Sequence, residues 1–134
     1  MTTTKITFET DADKINKFFK RDRKFIVAVD FDGTIANMGL DGMLCPNMSI
    51  INLIKDIREE MNVILWTCRQ GEMLQAAIDF CASQGLVFDY VNENVDKSLP
   101  DCRKIFADIY IDDCAIKPTE KNKLYKILKR EVKK

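Results

Sequence analysis

The sequence contains no histidine among its 134 residues. Any general acid or base must therefore be a carboxylate, lysine, tyrosine or cysteine, which excludes catalysis by Ser-His and Cys-His pairs. No CxxC pair is present either, because the cysteines are scattered at Cys45, Cys68, Cys81, Cys102 and Cys114. This odd-numbered set predicts free thiols, and the lack of clustered nitrogen and sulfur ligands argues against zinc.

Long apolar runs are also missing. The longest uncharged stretches are much shorter than a membrane span, and the N-terminal stretch MTTTKITFETDADK has no apolar signal region. We therefore expect a cytoplasmic protein without a membrane partner. A chain of this length with 46% hydrophobic and 31% charged residues is typical of one globular domain, residues 1–134.

The net charge is zero, but the charge is unevenly distributed. Residues 117–134 contain eight Lys or Arg against two acids, which gives +6 and leaves −6 for residues 1–116. A basic segment of this kind can bind nucleic acid, whereas a solvated helix face is the simpler interpretation. Nucleic acid therefore stays open as a partner on weak support.

Apolar patterning predicts strands that alternate with helices. The predicted strands are 25–29, 62–67, 87–91 and 107–112, and the predicted helices are 11–22, 47 or 49 to about 61, 71–84, and 118 or 119 onward. The last helix is expected to bury Leu124, Ile127 and Leu128, and 35–47, with two glycines and a proline, predicts an irregular loop.

This alternation favours an α/β fold. We expect a three-layer, Rossmann-like parallel sheet with helices on both faces and no sizeable cap domain. Residues 1–23 would form an N-terminal extension with a short helix, 24–116 the core, and 117–134 a basic C-terminal helix.

Residues 30–34, DFDGT, place two carboxylates directly after the apolar run FIVAV. Asp-Gly between apolar runs is also typical of a hairpin turn, but no alternating strand follows Thr34. A continuously apolar run indicates a strand buried on both faces, and ligands bind at the carboxyl ends of such strands. That edge would collect the polar residues after all four strands, namely Asp30, Asp32, Thr67, Arg69, Asn92, Glu93, Asp112 and Asp113.

The ordered set DFDGT, WTCR, a basic residue and IDD resembles the haloacid dehalogenase superfamily of phosphohydrolases, of a short capless type, over roughly residues 25–116. The resemblance implies that Asp30 is a nucleophile that forms an aspartyl-phosphate. It implies that Asp32 acts as general acid and then as base, a role that calls for a raised pKa. Thr67 would donate to a phosphoryl oxygen.

The resemblance also implies a Mg²⁺ ion, bound by Asp30, the carbonyl of Asp32, and Asp112 and Asp113, with Asp113 favoured as the direct ligand of the pair. Lys104 is the first choice for the cation beside Asp30, and Lys97 and Arg103 are the alternatives. Substrate contacts are expected from Gly33, Thr34, Cys68, Arg69, Arg103 and Asn92.

Several of these residues have a second interpretation. Arg69 fits a phosphate clamp and a pairing with an acid equally well. Asn92 fits a contact with the leaving group and an Asn-rich turn equally well. Alternation along WTCR points Cys68 away from Thr67 and predicts a packing role.

Only about a dozen residues separate Thr34 from the next helix, so the site is expected to be open. An open site suits a phosphate on a large partner, such as a nucleic-acid end or a protein. A nucleotide or other small substrate would fit if a small homo-oligomer rather than a monomer supplies a lid. The alternatives are a non-catalytic binding domain and a phosphate-accepting signalling domain, although receiver domains place the acid pair first and the acceptor aspartate later.

Overall fold

The computed structural model describes residues 10–13, 23–99 and 103–133. Residues 11–13 are helical, and the rest of the helix predicted over 11–22 lies outside the described residues. No helix in these ranges is long and apolar enough to cross a bilayer.

A parallel sheet of four strands forms the centre of the protein, as predicted. Its strands are β1 (Ile26–Val29), β4 (Asn62–Leu65), β5 (Tyr90–Val91) and β6 (Ile109–Ile111), arranged in the order β5-β4-β1-β6. The strand expected over 87–91 is shorter than predicted, because only its last two residues pair with β4.

Two helices cover one face of this sheet, α1 (Met48–Ile57) and α2 (Gly71–Ser83). The chain steps from β1 to β4 to β5 in one direction, so right-handed crossovers place both helices on the same side. Their buried residues contact the side chains of β1 and β4 that face them, and the set includes Ile51, Ile54, Ala77, Cys81, Val27, Val29, Val63 and Leu65.

Part of the segment that connects β5 to β6 packs on the opposite face. Ile105 and Ala107 are buried there against Ile26, Ala28 and Ile64. No cap domain interrupts the described parts of the chain, and the carboxyl ends of the strands are therefore not covered by an inserted module.

The irregular loop predicted over 35–47 is wrong in part. Strands β2 (Ala36–Met38) and β3 (Leu44–Pro46) form an antiparallel pair, closed by a turn in which the Gly39 N–H donates to the Met43 carbonyl at 2.7 Å. Each strand has three residues, which is too few for alternation to be visible in the sequence.

The C-terminal segment consists of a 3₁₀ turn (Pro118–Glu120) followed by α3 (Lys121–Val132). The prediction that this helix buries Leu124, Ile127 and Leu128 is wrong, because no residue of α3 is buried. Leu128 is 54% exposed. The apolar residues of α3 recur at helical spacing, but this spacing does not specify which surface, if any, covers them.

Candidate active site

The carboxyl ends of β1 and β6 lie side by side where the strand order reverses. In open α/β sheets, ligands bind in the crevice at this point. Asp30 follows β1, and its N–H donates to the carbonyl of Ile111 at 2.9 Å. Asp112 follows Ile111 directly, so the backbone brings the first and the last acidic motifs of the sequence together.

Asp30 is the most electrostatically perturbed group of this edge. Partial burial, followed by the negative charges of Asp112 and Asp113, raises the pKa of Asp30 to about 6. The Thr34 hydroxyl donates to Asp30 Oδ2 at 3.3 Å and acts in the opposite direction. Desolvation and like charges therefore outweigh the hydrogen bonds, as expected where carboxylates crowd one site.

Gly33 allows this crowding. Its φ of +83° favours glycine, and the Asp113 carboxylate occupies the position where a β-carbon would be. The resemblance implied that Gly33 contacts the substrate. Its contact with Asp113 was not predicted, because a single sequence does not reveal which distant side chain approaches a glycine.

The donor atoms at this edge fit Mg²⁺. Asp112, Asp113 and Cys114 each offer a ligand atom, and these atoms lie within 4.8 Å of one another. Carboxylate oxygens are the ligands that Mg²⁺ prefers. A cation would offset the repulsion that, after desolvation, contributes to the raised pKa of Asp30.

Cys114 was not among the predicted site residues, although it follows the acid pair directly. Its N–H donates to Asp112 Oδ1 at 3.0 Å. The hydrogen bond to Asp113 and the charge of Asp113 raise the pKa of the thiol, so the protonated sulfur is a poor ligand compared with the oxygens.

Asp32 differs from the expectation drawn from the sequence. Arg69 binds Asp32 in a bidentate ion pair, in which Nε donates to Oδ2 at 2.9 Å and Nη2 donates to Oδ1 at 2.8 Å. The hydrogen bonds from Arg69 lower the pKa of Asp32, whereas the role assigned by resemblance called for a raised value. Of the two interpretations of Arg69, the structure shows the pairing with an acid.

Thr67 and Asn92 are joined by a pair of hydrogen bonds. The Thr67 N–H donates to Asn92 Oδ1 at 2.8 Å, and Asn92 Nδ2 donates to the Thr67 carbonyl at 2.9 Å. Asn92 has a φ of +53°, a conformation that Asn tolerates better than most residues. The side chain of Asn92 thus fixes the backbone that carries the Thr67 hydroxyl.

Among the residues that the structure describes, the predicted cations do not pair with Asp30. Lys104 Nζ lies 5.5 Å from the centroid of the Tyr110 ring, and Lys97 pairs with Glu93 at 2.6 Å. Arg103 is exposed. Within residues 23–99 and 103–133, none of these three residues forms an ion pair with Asp30.

Cys68 is exposed, so the packing role predicted for it is wrong. The reason is that β4 ends at Leu65, and the alternation of a strand does not continue into the turn that follows it.

Comparison with known proteins gives one structural relative. No protein-family model matches the sequence, and no curated protein matches it significantly. The solved structure of a conserved protein coded by a locus of Bacteroides thetaiotaomicron matches with a TM-score of 0.60 and 30% sequence identity, and the alignment covers 81% of this chain and 93% of that one. The chain therefore belongs to the same family as this conserved Bacteroides protein.

Proposed function

We propose that the protein is a Mg²⁺-dependent phosphomonoester hydrolase of the haloacid dehalogenase type, with Asp30 as its nucleophile. The observation that carries the proposal is the cluster of Asp30, Asp112 and Asp113 at the strand-order reversal, where desolvation and repulsion raise the pKa of Asp30 to about 6. This crowding disfavours the ionised form of Asp30, and a metal-dependent hydrolase uses such a group of carboxylates to hold its cation.

Asp30 would attack phosphorus through an ionised carboxylate oxygen, form an aspartyl-phosphate and displace the alcohol. With a pKa of about 6, Asp30 is ionised at neutral pH. Asp30, Asp112, Asp113 and the carbonyl of Asp32 would hold Mg²⁺, which supplies positive charge that offsets the repulsion between carboxylate and phosphate.

The departing oxygen of the first step would take its proton from solvent at the open edge, and Asp32 would act in the second step. In its pair with Arg69 it is ionised, which is the state that a general base towards the hydrolytic water requires. The Thr67 hydroxyl accepts a hydrogen bond from the Arg69 N–H at 3.1 Å, so its own hydrogen remains to donate to a phosphoryl oxygen. Lys104 stays our proposal for the cation near the transferred group.

The substrate class follows from the open edge of the sheet. Without an inserted cap, the site suits a phosphate on a large partner, and nucleic-acid ends or nucleotides are the first candidates to test. If phosphorylated oligonucleotides bind through the basic segment 117–134, their binding must weaken as salt is raised.

The test is hydrolysis of p-nitrophenyl phosphate with and without Mg²⁺, by the wild type, Asp30→Asn and the control Asp56→Asn, whose side chain is exposed on α1. We expect Mg²⁺-dependent turnover in the wild type and the control and none in Asp30→Asn. Equal turnover by Asp30→Asn, or turnover independent of metal, would refute the proposal. An aspartyl-phosphate that accumulates and persists for hours would favour a phosphate-accepting signalling domain instead.

A further inference from the structure

Arg69 is held at four points in a site where most side chains are exposed. Nε and Nη2 donate to the two oxygens of Asp32, Nη1 donates to the Met73 carbonyl at 3.2 Å, and the guanidinium carbon lies 4.8 Å from the centroid of the Phe31 ring. The side chain of Arg69 is 10% exposed, whereas that of Asp32 is 56% exposed. The arginine is thus the fixed member of the pair and the carboxylate the accessible one.

The support for Arg69 reaches into the core. Phe31 is fully buried and meets Phe80 of α2 edge to face, with ring centroids 5.9 Å apart. Met73 lies in the first turn of the same helix. Through the guanidinium, the position of the Asp32 carboxylate therefore depends on α2 and on the core.

This geometry commits most of the guanidinium. Its side-on edge, formed by Nε and Nη2, binds Asp32, and Nη1 donates to the Met73 carbonyl, so one N–H remains on each terminal nitrogen and the side-on edge is not available to a phosphate. Asp32, by contrast, follows the nucleophile by two residues, and its orientation decides which atom it can reach.

We propose that Arg69 is the positioning residue for Asp32 and acts on the reaction through that carboxylate rather than through the phosphate. The inference rests on the proposed hydrolase function and adds a residue to it. A misplacement of about 1 Å in a reacting group costs roughly 100-fold in rate, so loss of the bidentate contact must appear in kcat.

The first measurement is a double-mutant cycle of Arg69→Gln and Asp32→Asn with p-nitrophenyl phosphate and saturating Mg²⁺. We expect Arg69→Gln alone to lower kcat by roughly 10- to 100-fold with KM unchanged, and to have almost no further effect in Asp32→Asn. The kcat of Arg69→Lys should lie between those of the wild type and Arg69→Gln, because an ammonium keeps the charge but cannot bind both carboxylate oxygens as a guanidinium does. A raised KM with unchanged kcat, or full additivity in the double variant, would overturn the positioning role.

A chemically matched control exists at the opposite edge of the sheet. Arg23 binds Asp108, just before β6, with contacts of 2.7 and 2.9 Å, and its guanidinium lies 5.0 Å from the Phe106 ring centroid. Arg23→Gln should lower stability and leave kcat unchanged. Added methylguanidinium should restore turnover to Arg69→Ala, an effect that a merely structural role would not show; no rescue at any concentration would count against positioning.

A readout without turnover separates this inference from the proposed function. The Arg69 Nε–H signal in ¹H–¹⁵N spectra should be protected from solvent exchange in the wild type and lose that protection in Asp32→Asn. A signal that does not change would overturn the positioning role. A protected signal in a wild type that hydrolyses no phosphomonoester would overturn the proposed hydrolase and retain the pairing as a structural one.

Discussion

At the scale of single residues, Gly33 meets two constraints at once, its φ of +83° and an Asp113 carboxylate in the space that a β-carbon would fill. Gly33→Ala should lower the free energy of unfolding by about 1–2 kcal/mol, because a β-carbon is unfavourable at positive φ. It should also weaken activation by Mg²⁺, since Asp113 must move. The measurements are urea unfolding and a Mg²⁺ titration of activity.

Gly42→Ala separates the two effects. Gly42 has a similar φ of +78°, but a β-carbon there would meet open space. The control should therefore lose stability without any change in Mg²⁺ dependence. If the activities of Gly33→Ala and Gly42→Ala depend on Mg²⁺ in the same way, the position of Asp113 does not depend on the missing side chain of Gly33.

The sequence could predict which residues gather at this edge but not how their side chains pair. Asp30, Asp32, Asp112 and Asp113 follow from strand ends and from the parallel topology. The Asp32–Arg69 pair depends on how the chain turns after β4, which apolar patterning does not encode. The hydrogen bonds from Arg69 lower the pKa of Asp32, although the role implied by the resemblance called for a raised value.

At the scale of elements, the buried strands and α1 and α2 were predictable because burial leaves long apolar runs or helical spacing. The β2–β3 hairpin and the surroundings of α3 were not predictable. Strands of three residues are too short to show alternation, and apolar residues on one face of a helix do not specify what packs against that face. Leu128, 54% exposed on α3, and Ile54, 1% exposed on α1, look alike in the sequence.

This difference can be measured with two truncations. Ile54→Ala should cost about 2–5 kcal/mol of unfolding free energy, because it leaves a cavity in a closed core. Leu128→Ala should cost less than about 1 kcal/mol, because its side chain is already largely in water. Urea unfolding of both variants at one pH gives the comparison. A loss of the same size for Leu128→Ala would mean that α3 is covered in solution.

At the scale of the whole molecule, Asp30 and the pair of Asp32 and Asp108 contribute to the pH dependence of stability in opposite directions. Asp30 has a folded pKa of about 6, above its unfolded value, so the native state binds more protons between about pH 4 and 6 and stability falls as pH rises through that window. Asp32 and Asp108 have pKa values lowered by their arginine partners. Their contribution is present at neutral pH and is lost as pH falls through their folded pKa values.

The metal-free protein should consequently gain stability from Asp30→Asn at pH 7 and not at pH 4. The Asp30 carboxylate is only partly buried, so solvent screening reduces the expected gain to about 1 kcal/mol. Mg²⁺ should stabilise the wild type at pH 7 by mass action and the variant much less, because the variant lacks a ligand charge. Urea unfolding at pH 4, 5.5 and 7, with and without Mg²⁺ and with Asp56→Asn as control, measures both effects. If the wild type and Asp30→Asn show the same change in stability from pH 4 to 7, Asp30 does not titrate in this window, and its desolvation and the repulsion from Asp112 and Asp113 are weaker than the geometry implies.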